Sequence, residues 1–267
     1  MIIIGEKLNG SIPSCAKAIA ERDADYIRDM ARKQADAGAD FIDVCASVNE
    51  GELETMKWML ELVQEVTDLP ISVDSPNAQC CVDAMQYCKK PGLINSVSGE
   101  GNKIETVFPV IADTRWQVMA LLSDDKGIPK TAAGRIDILN RIMAKAKEYG
   151  IAEDRVHIDP LVEMLCTSEN GIETVTEVMK YTREHYPDVH ISGAVSNISF
   201  NLPVRKILNQ AFLVMAMNAG MDSAVMDPTN RDLMGMVYAT TALMGDDFYC
   251  MEYISAYREG LFGPVKQ

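Results

Sequence analysis

The feature that most restricts the fold of this chain is an alternation: short apolar runs and one-sided amphipathic stretches follow each other eight times along its 267 residues. The apolar runs cover 2–6, 41–45, 70–74, 93–97, 117–122, 156–159, 189–195 and 223–226, and most are continuous in apolar residues rather than alternating. Such strands are buried on both faces, the state of parallel strands flanked by helices. Segments 24–37, 52–66, 78–88, 104–114, 132–149, 171–185, 205–218 and 231–243 read as the helices between and after them. Gly38, Gly150 and Gly220 follow three of these, as expected of a residue that takes the left-handed closing conformation cheaply. In 52–66, Met56, Met59, Leu60, Val63 and Val66 recur at helical spacing with Glu52, Glu54, Lys57, Glu61 and Glu65 between them, so this helix is predicted to cover a sheet. Eight such units favour a closed (β/α)8 TIM barrel over an open sheet, because closure removes both edges. Barrels of this kind use about 250 residues as one unit, so 1–267 is expected to form a single domain, with 250–261 as an extra terminal helix.

Charge and cysteine usage narrow the partners. Lys and Arg number 25 against 39 Asp and Glu, a formal net charge of −14, and no basic run is present that would track a phosphate backbone. Nucleic acid and anionic membranes are therefore poor partners. The run Met1-Ile2-Ile3-Ile4-Gly5-Glu6 has no basic flank and is too short to span a bilayer, so it reads as the first strand of a cytoplasmic protein. The 7 cysteines form no Cys-x-x-Cys pair and His157, His185 and His190 are scattered, which predicts reduced, packed thiols and no dedicated metal site.

In parallel barrels the active site forms where strands finish. The polar residues at those ends are Glu6 and Asn9, Asp43, Asp74, Asn95, Ser123 and Asp124, Asp159, Ser196 and Asn197, and Asp227. They include no lysine placed for a Schiff base and no Ser–His pair, and no glycine-rich phosphate loop follows the seventh or eighth strand. An ionised Asp accepts two parallel N–H bonds from a guanidine-like N–C–N edge, the edge a reduced pterin presents, and an Asn answers the ring's remaining nitrogen and carbonyl. Asp74 precedes Ser75-Pro76-Asn77 and Asp159 precedes Pro160, so each has a second reading as a helix cap or turn residue, and Asp43 serves equally well to orient its neighbours. Met215, Met217, Met221, Met226, Met234, Met236 and Met244 crowd the last quarter, where they suit helical core packing or an adaptable docking surface.

Six segments, in order, resemble the pterin-binding barrels, and among them the methyltetrahydrofolate:corrinoid methyltransferases and the folate module of cobalamin-dependent methionine synthase. They are Gly5-Glu6-Lys7-Leu8-Asn9-Gly10, 37–44, Ile71-Ser72-Val73-Asp74-Ser75, 93–100, His157-Ile158-Asp159-Pro160-Leu161 and Ser196-Asn197-Ile198-Ser199-Phe200. The resemblance implies a dihydropteroate synthase-like TIM barrel in which Asp74, Asn95 and Asp159 hold the pterin and Asn197 reaches toward N5. Asp159 and Asn197 then carry catalysis, and Asn9, Asp43, Ser196 and Arg205 complete the folate contacts. It also implies tetrahydrofolate or its 5-methyl form as substrate, cobalamin carried on a partner corrinoid protein, and a homodimer. Two departures stand out: Cys45 occupies the place of a family Asn, and Ala194 enters Gly193-Ala194-Val195-Ser196-Asn197 where Gly-Leu-Ser-Asn is more usual. A dihydropteroate synthase would need a basic loop for pyrophosphate, yet Ser11-Ile12-Pro13-Ser14 beside Lys7 lacks an arginine. A non-catalytic folate-binding barrel is the other alternative. For methyl transfer, N5 must gain or lose a proton as its bond to methyl breaks or forms, and Asn197 can assist only by hydrogen bonding, with the proton moving through an Asp-linked network.

Overall fold

The computed structural model describes residues 1–48 and 50–264. Eight parallel strands form one sheet: β1 (Ile2–Asn9), β2 (Phe41–Cys45), β3 (Ile71–Asp74), β4 (Leu93–Gly99), β5 (Gln117–Asp124), β6 (Val156–Asp159), β7 (His190–Ile191) and β8 (Ser223–Met226). Their order, β7-β6-β5-β4-β3-β2-β1-β8, follows the chain around a barrel. The seam between β7 and β8 is closed by Asp222 N–H donating to the Ile191 carbonyl at 3.1 Å and Val225 N–H to that of Gly193 at 3.0 Å. This is a (β/α)8 TIM barrel.

Between and after the strands run helices α1 (Pro13–Glu21), α2 (Ala24–Asp36), α3 (Glu52–Val66), α4 (Ala78–Ala84), α5 (Lys103–Ile111), α6 (Ala132–Glu148), α7 (Gly171–His185), α8 (Arg205–Asn218), α9 (Arg231–Met244) and α10 (Met251–Glu259). The apolar stripe of α3 is buried as its spacing requires, with Met56, Met59, Leu60 and Val63 fully covered. The helical layer and the outward strand faces form the main core, whereas Ile4, Phe41, Leu93 and Met119 pack together as a small plug inside the barrel.

Three elements differ from the sequence expectation. Helix α1 is not announced by periodicity; Pro13 opens it, and it buries only Cys15, Ala18 and Ile19. The seventh strand, expected over 189–195, is regular only at His190–Ile191, and the chain then turns through a 3₁₀ segment, Val195–Ser199. Small residues at Ser192, Gly193 and Ala194 let the backbone leave the regular ladder while a single bridge, Ala194 to Val225, keeps it on the barrel. β1 is longer than expected and its register with β2 shifts between Gly5 and Leu8. Gln34 from α2 fills the irregularity, its Oε1 accepting the Lys7 N–H at 2.9 Å. A Cβ at position 5 would stand 2.6 Å from the same Gln34 oxygen, so a larger residue there would have to displace that side chain.

Candidate active site

The barrel interior is polar at both ends of its apolar plug. Ile4 points inward, so Glu6, two residues on, faces the C-terminal mouth, and the register shift turns Lys7 there as well, 3.4 Å from Asp227. The same alternation places Asp43 two residues beyond Phe41 and Asn95 two beyond Leu93. Glu6, Asp43, Asp74, Asn95, Asp159 and Asp227 thus come from six different strands or strand ends to one rim.

Asp43 is the buried hub. Its Oδ1 accepts hydrogen bonds from Ser72 Oγ at 2.5 Å and from Asn95 Nδ2 at 3.2 Å. Its third neighbour is the carboxyl of Asp74, close enough to interact with it through a hydrogen bond. Burial raises both acids, and the charge of Asp43 raises Asp74 further, because two carboxylates in contact cannot both ionise cheaply. Cys45 sits opposite Asp74 in the β2–β3 register, with its sulfur 3.1 Å from Ser47 Oγ. Burial, with Asp74 beside it, pushes its thiol far up, so Cys45 is a neutral hydrogen-bonding group and not a nucleophile.

Asp159 closes the opposite side of the rim. It is almost completely buried, accepts the Leu161 N–H at 2.7 Å, and is pushed up to about 6 by loss of solvent, against the lowering effects of that hydrogen bond and of Arg135. Gly193 lines its flank, where a Cβ would meet Val162 at 3.3 Å and the Asp159 Oδ1 at 3.9 Å. Glu6 is pushed up to about 7, first by burial, then by the charges of Asp227 and Asp43; Lys7 and a hydrogen bond from Ser196 partly offset this.

The 3₁₀ turn presents Ser196 and Asn197 at the mouth. Asn197 is exposed, and its carboxamide makes no hydrogen bond among the described residues. Arg205 does not point away into solvent: it braces this turn, donating from its guanidinium to the Ser196 carbonyl at 2.7 Å and to Ser199 Oγ at 3.0 Å. Asn9 lies at the edge, its Oδ1 accepting from Ser11 N–H at 2.8 Å and reaching Ser47 Oγ at 3.5 Å. The predicted residues therefore converge, with Asn9 most engaged in its own turn and Arg205 acting on the turn's backbone.

Glu6 was marked by its strand-end place without being given a role, and Arg135 was not marked at all. Glu6 had a usable signal, the inward parity set by Ile4. Arg135 had none: it lies near the start of α6, yet its guanidinium is fully buried. No group of His, Cys, Asp and Glu among the described residues is arranged to hold a metal ion. A groove of about 390 Å³ between α5 and α6, lined by Ile104, Ile138 and Ile142, lies on the outer helical layer and contains none of these residues.

This rim can accept hydrogen bonds from an N–H-rich heterocycle at Asp74 and Asp159, offer a carboxamide from Asn95 and Asn197, and exchange a proton near neutrality through Glu6. The comparisons agree with that chemistry. A methylcorrinoid:tetrahydrofolate methyltransferase of Eubacterium limosum is 48% identical over 269 residues, covering 100% of this chain and 99% of that protein. The methionine synthase of Mycobacterium tuberculosis is 28% identical over 251 residues, covering 86% of this chain and 21% of that larger protein. A dihydropteroate synthase of Coxiella burnetii in complex with pteroic acid superposes with a TM-score of 0.62 at 16% identity, covering 90% of this chain and 94% of its own, a likeness of fold. The profile of the family described as "Pterin binding enzyme" matches residues 6–227. With the barrel, the carboxylate and carboxamide rim and this match across most of its length, the chain belongs to the pterin binding enzymes.

Proposed function

We infer that this protein is a methyltransferase that moves a methyl group between the N5 of tetrahydrofolate and the cobalt of a corrinoid carried on a partner protein. The observation that carries this reading is the full-length 48% identity to the Eubacterium limosum enzyme. That enzyme's name gives the direction we assign here, from methylcorrinoid to tetrahydrofolate.

Asp74 and Asp159 hold the pterin by its N–H groups, Asn95 takes the remaining ring edge, and Asp43 fixes Asn95 and Asp74 from below. Asn197 faces N5. The methylated corrinoid is the co-substrate that supplies the electrophilic carbon. As the N5 lone pair forms its bond to methyl, the pair of the broken carbon–cobalt bond stays with the metal and N5 becomes cationic. Asn197 accepts a hydrogen bond from the N5 proton and stabilises the developing charge. Glu6, beside Ser196 and close to neutral in its proton affinity, takes up that proton.

In the finer reading, the 1–267 chain works as one domain, in the cytoplasm, as a homodimer. No helix among the described residues is long and apolar enough to cross a membrane. The surface beside α8, α9 and α10 exposes Val204, Ile207, Leu243, Phe248, Tyr249 and Met251, the kind of apolar patch that a second copy would cover.

The test is single-turnover transfer from methylcobalamin to tetrahydrofolate, followed by the loss of the methylcobalt absorbance and by formation of 5-methyltetrahydrofolate. Catalysed, equimolar appearance of both products is expected. Tight folate binding without transfer, to free methylcobalamin or to a methylated corrinoid protein, would leave only a binding barrel.

A further inference from the structure

A second cluster of strong interactions lies just behind the rim and is left unused by the methyl-transfer chemistry. Arg135, from the first turns of α6, inserts its guanidinium beneath the turn that follows β6. Its Nη1 donates to the Pro160 carbonyl at 2.5 Å and the Leu161 carbonyl at 2.7 Å, and its Nε to that of Pro129 at 3.0 Å. Nη2 meets Glu163 at 2.5 Å, and Lys130 reaches the other oxygen of Glu163 at 2.9 Å.

The turn so gripped is unusual. Leu161 has φ +65°, a left-handed conformation that is unfavourable for a branched side chain, and it is this residue's N–H that donates to Asp159. The same loop continues to Leu165, whose N–H donates to the Ile198 carbonyl at 3.0 Å, next to Asn197. Arg135 is also a buried cation whose charge lowers the proton affinity of Asp159. Two effects therefore converge on one carboxylate: its aim is set by a turn with a costly backbone, and its charge is countered by a buried cation.

We propose that Arg135 is the positioning residue for pterin recognition, holding the Leu161 turn that aims Asp159 and keeping Asp159 anionic in a site from which water is excluded. This rests on the folate reading above and deepens it. A neutral Asp159 would present an O–H to the pterin in place of an acceptor, so its ionisation and folate affinity are linked. Burial already brings Asp159 up to about 6, close enough to the working range for the loss of one neighbouring cation to matter.

The experiment is tetrahydrofolate affinity by anaerobic calorimetry across about pH 6 to 9, on the wild type and on Arg135→Met, Arg135→Lys and Glu163→Gln, with far-UV circular dichroism on each. Arg135→Met removes both effects: affinity is expected to fall at every pH, and its acid midpoint to move upward by about one unit, a tenfold change in proton affinity. Arg135→Lys keeps the charge and loses the planar fork, so affinity falls about tenfold with the midpoint in place. Glu163→Gln removes the anion behind Arg135 and moves the midpoint downward, the opposite sign, without removing the buried guanidinium. If Arg135→Met fails to fold, the Glu163→Gln shift decides the electrostatic part and Arg135→Lys the aim. Midpoints that stay at the wild-type value in Arg135→Met, or in Glu163→Gln where only that variant folds, overturn the electrostatic role, as unchanged affinity in Arg135→Lys overturns the aim. A wild type that binds no folate anywhere in this range would instead refute the underlying function, which keeps the two failures distinct.

Discussion

The two polar ends of the barrel interior make opposite use of similar materials. At the floor, His157 lies between Gln117, 2.6 Å from its Nε2, and Ser223, 3.0 Å from its Nδ1, and it packs on the His190 ring with centroids 4.7 Å apart. His190 in turn meets Asp222 at 3.0 Å. Both nitrogens of His157 are satisfied, and burial holds it down to about 3, so it stays neutral and inert. At the mouth, Glu6, Asp43, Asp74 and Asp159 are all raised by burial, with Lys7 and Arg135 their few cationic neighbours. Where polar groups answer one another the interior is structural; where carboxyl groups outnumber the cations and donors beside them, it is prepared for a ligand that brings more.

This contrast can be broken most severely at the mouth itself. Asp159→Ala is expected to weaken tetrahydrofolate binding by roughly two to four orders of magnitude, the cost of two charge-assisted hydrogen bonds at about 1.5–3 kcal/mol each, measured by calorimetry. Melting of the unliganded variant should show no comparable loss. Next in size is Asn197→Ala, for which the rate of methyl transfer is expected to drop about 100-fold while the folate dissociation constant changes by less than about fivefold. An equal loss in both would make Asn197 a binding residue and no more.

A smaller and more diagnostic effect belongs to Glu6. Replacement by Gln is expected to slow transfer at least about 10-fold and to remove from the pH–rate profile the ionisation seen near neutrality in the wild type. A profile that keeps that ionisation would assign the proton to the Asp43–Asp74 pair. The floor supplies the matching control: His157→Phe should lower the melting temperature by several degrees and leave folate affinity within about twofold, because it strands Gln117 and Ser223 far from the pterin.

The smallest effect is the pH dependence of the unliganded barrel. Glu6 and Asp159 hold protons in the folded state at pH values where the unfolded chain, with ordinary values of 4.5 and 3.8, has released them. Stability contributed by these groups therefore falls as pH rises from about 4 toward the raised folded values, up to about 7 for Glu6. His157 acts the other way, between about 3 and its ordinary 6.5, so above that only the carboxylates remain in play. Melting of the unliganded protein is accordingly expected to fall by a few degrees between about pH 6.5 and 8, with Glu6→Gln removing its share of that slope and the raised Asp74 keeping the rest. A melting temperature that instead rises over this interval would show that the mouth is not holding excess protons.

Much of this was legible beforehand. Asp74 and Asp159 end apolar runs, Asp43 and Asn95 interrupt them, and all four share the inward parity of their strands, so their convergence followed from parity and topology. The Ser196-Asn197 pair was legible as chemistry but not as structure, since the chain around it forms two residues of strand and a 3₁₀ turn where a seven-residue strand was expected. Helix α1 was missed because its short stripe is too weak to stand out as a period. Arg135 was beyond reach, because a cation near the start of an amphipathic helix ordinarily faces water.

By itself the sequence determined the barrel, through a short-range alternation in which each unit states its own period, and it determined which residue types would stand at the rim. Only the tertiary structure decided how those residues behave. The register shift that turns Lys7 to the mouth depends on Gln34, the raised proton affinity of Asp43 and Asp74 depends on the β2–β3 register and on burial, and the aim of Asp159 depends on a guanidinium from α6. Each is a contact between residues distant in the chain, and its strength comes from the exclusion of water, which no local pattern encodes.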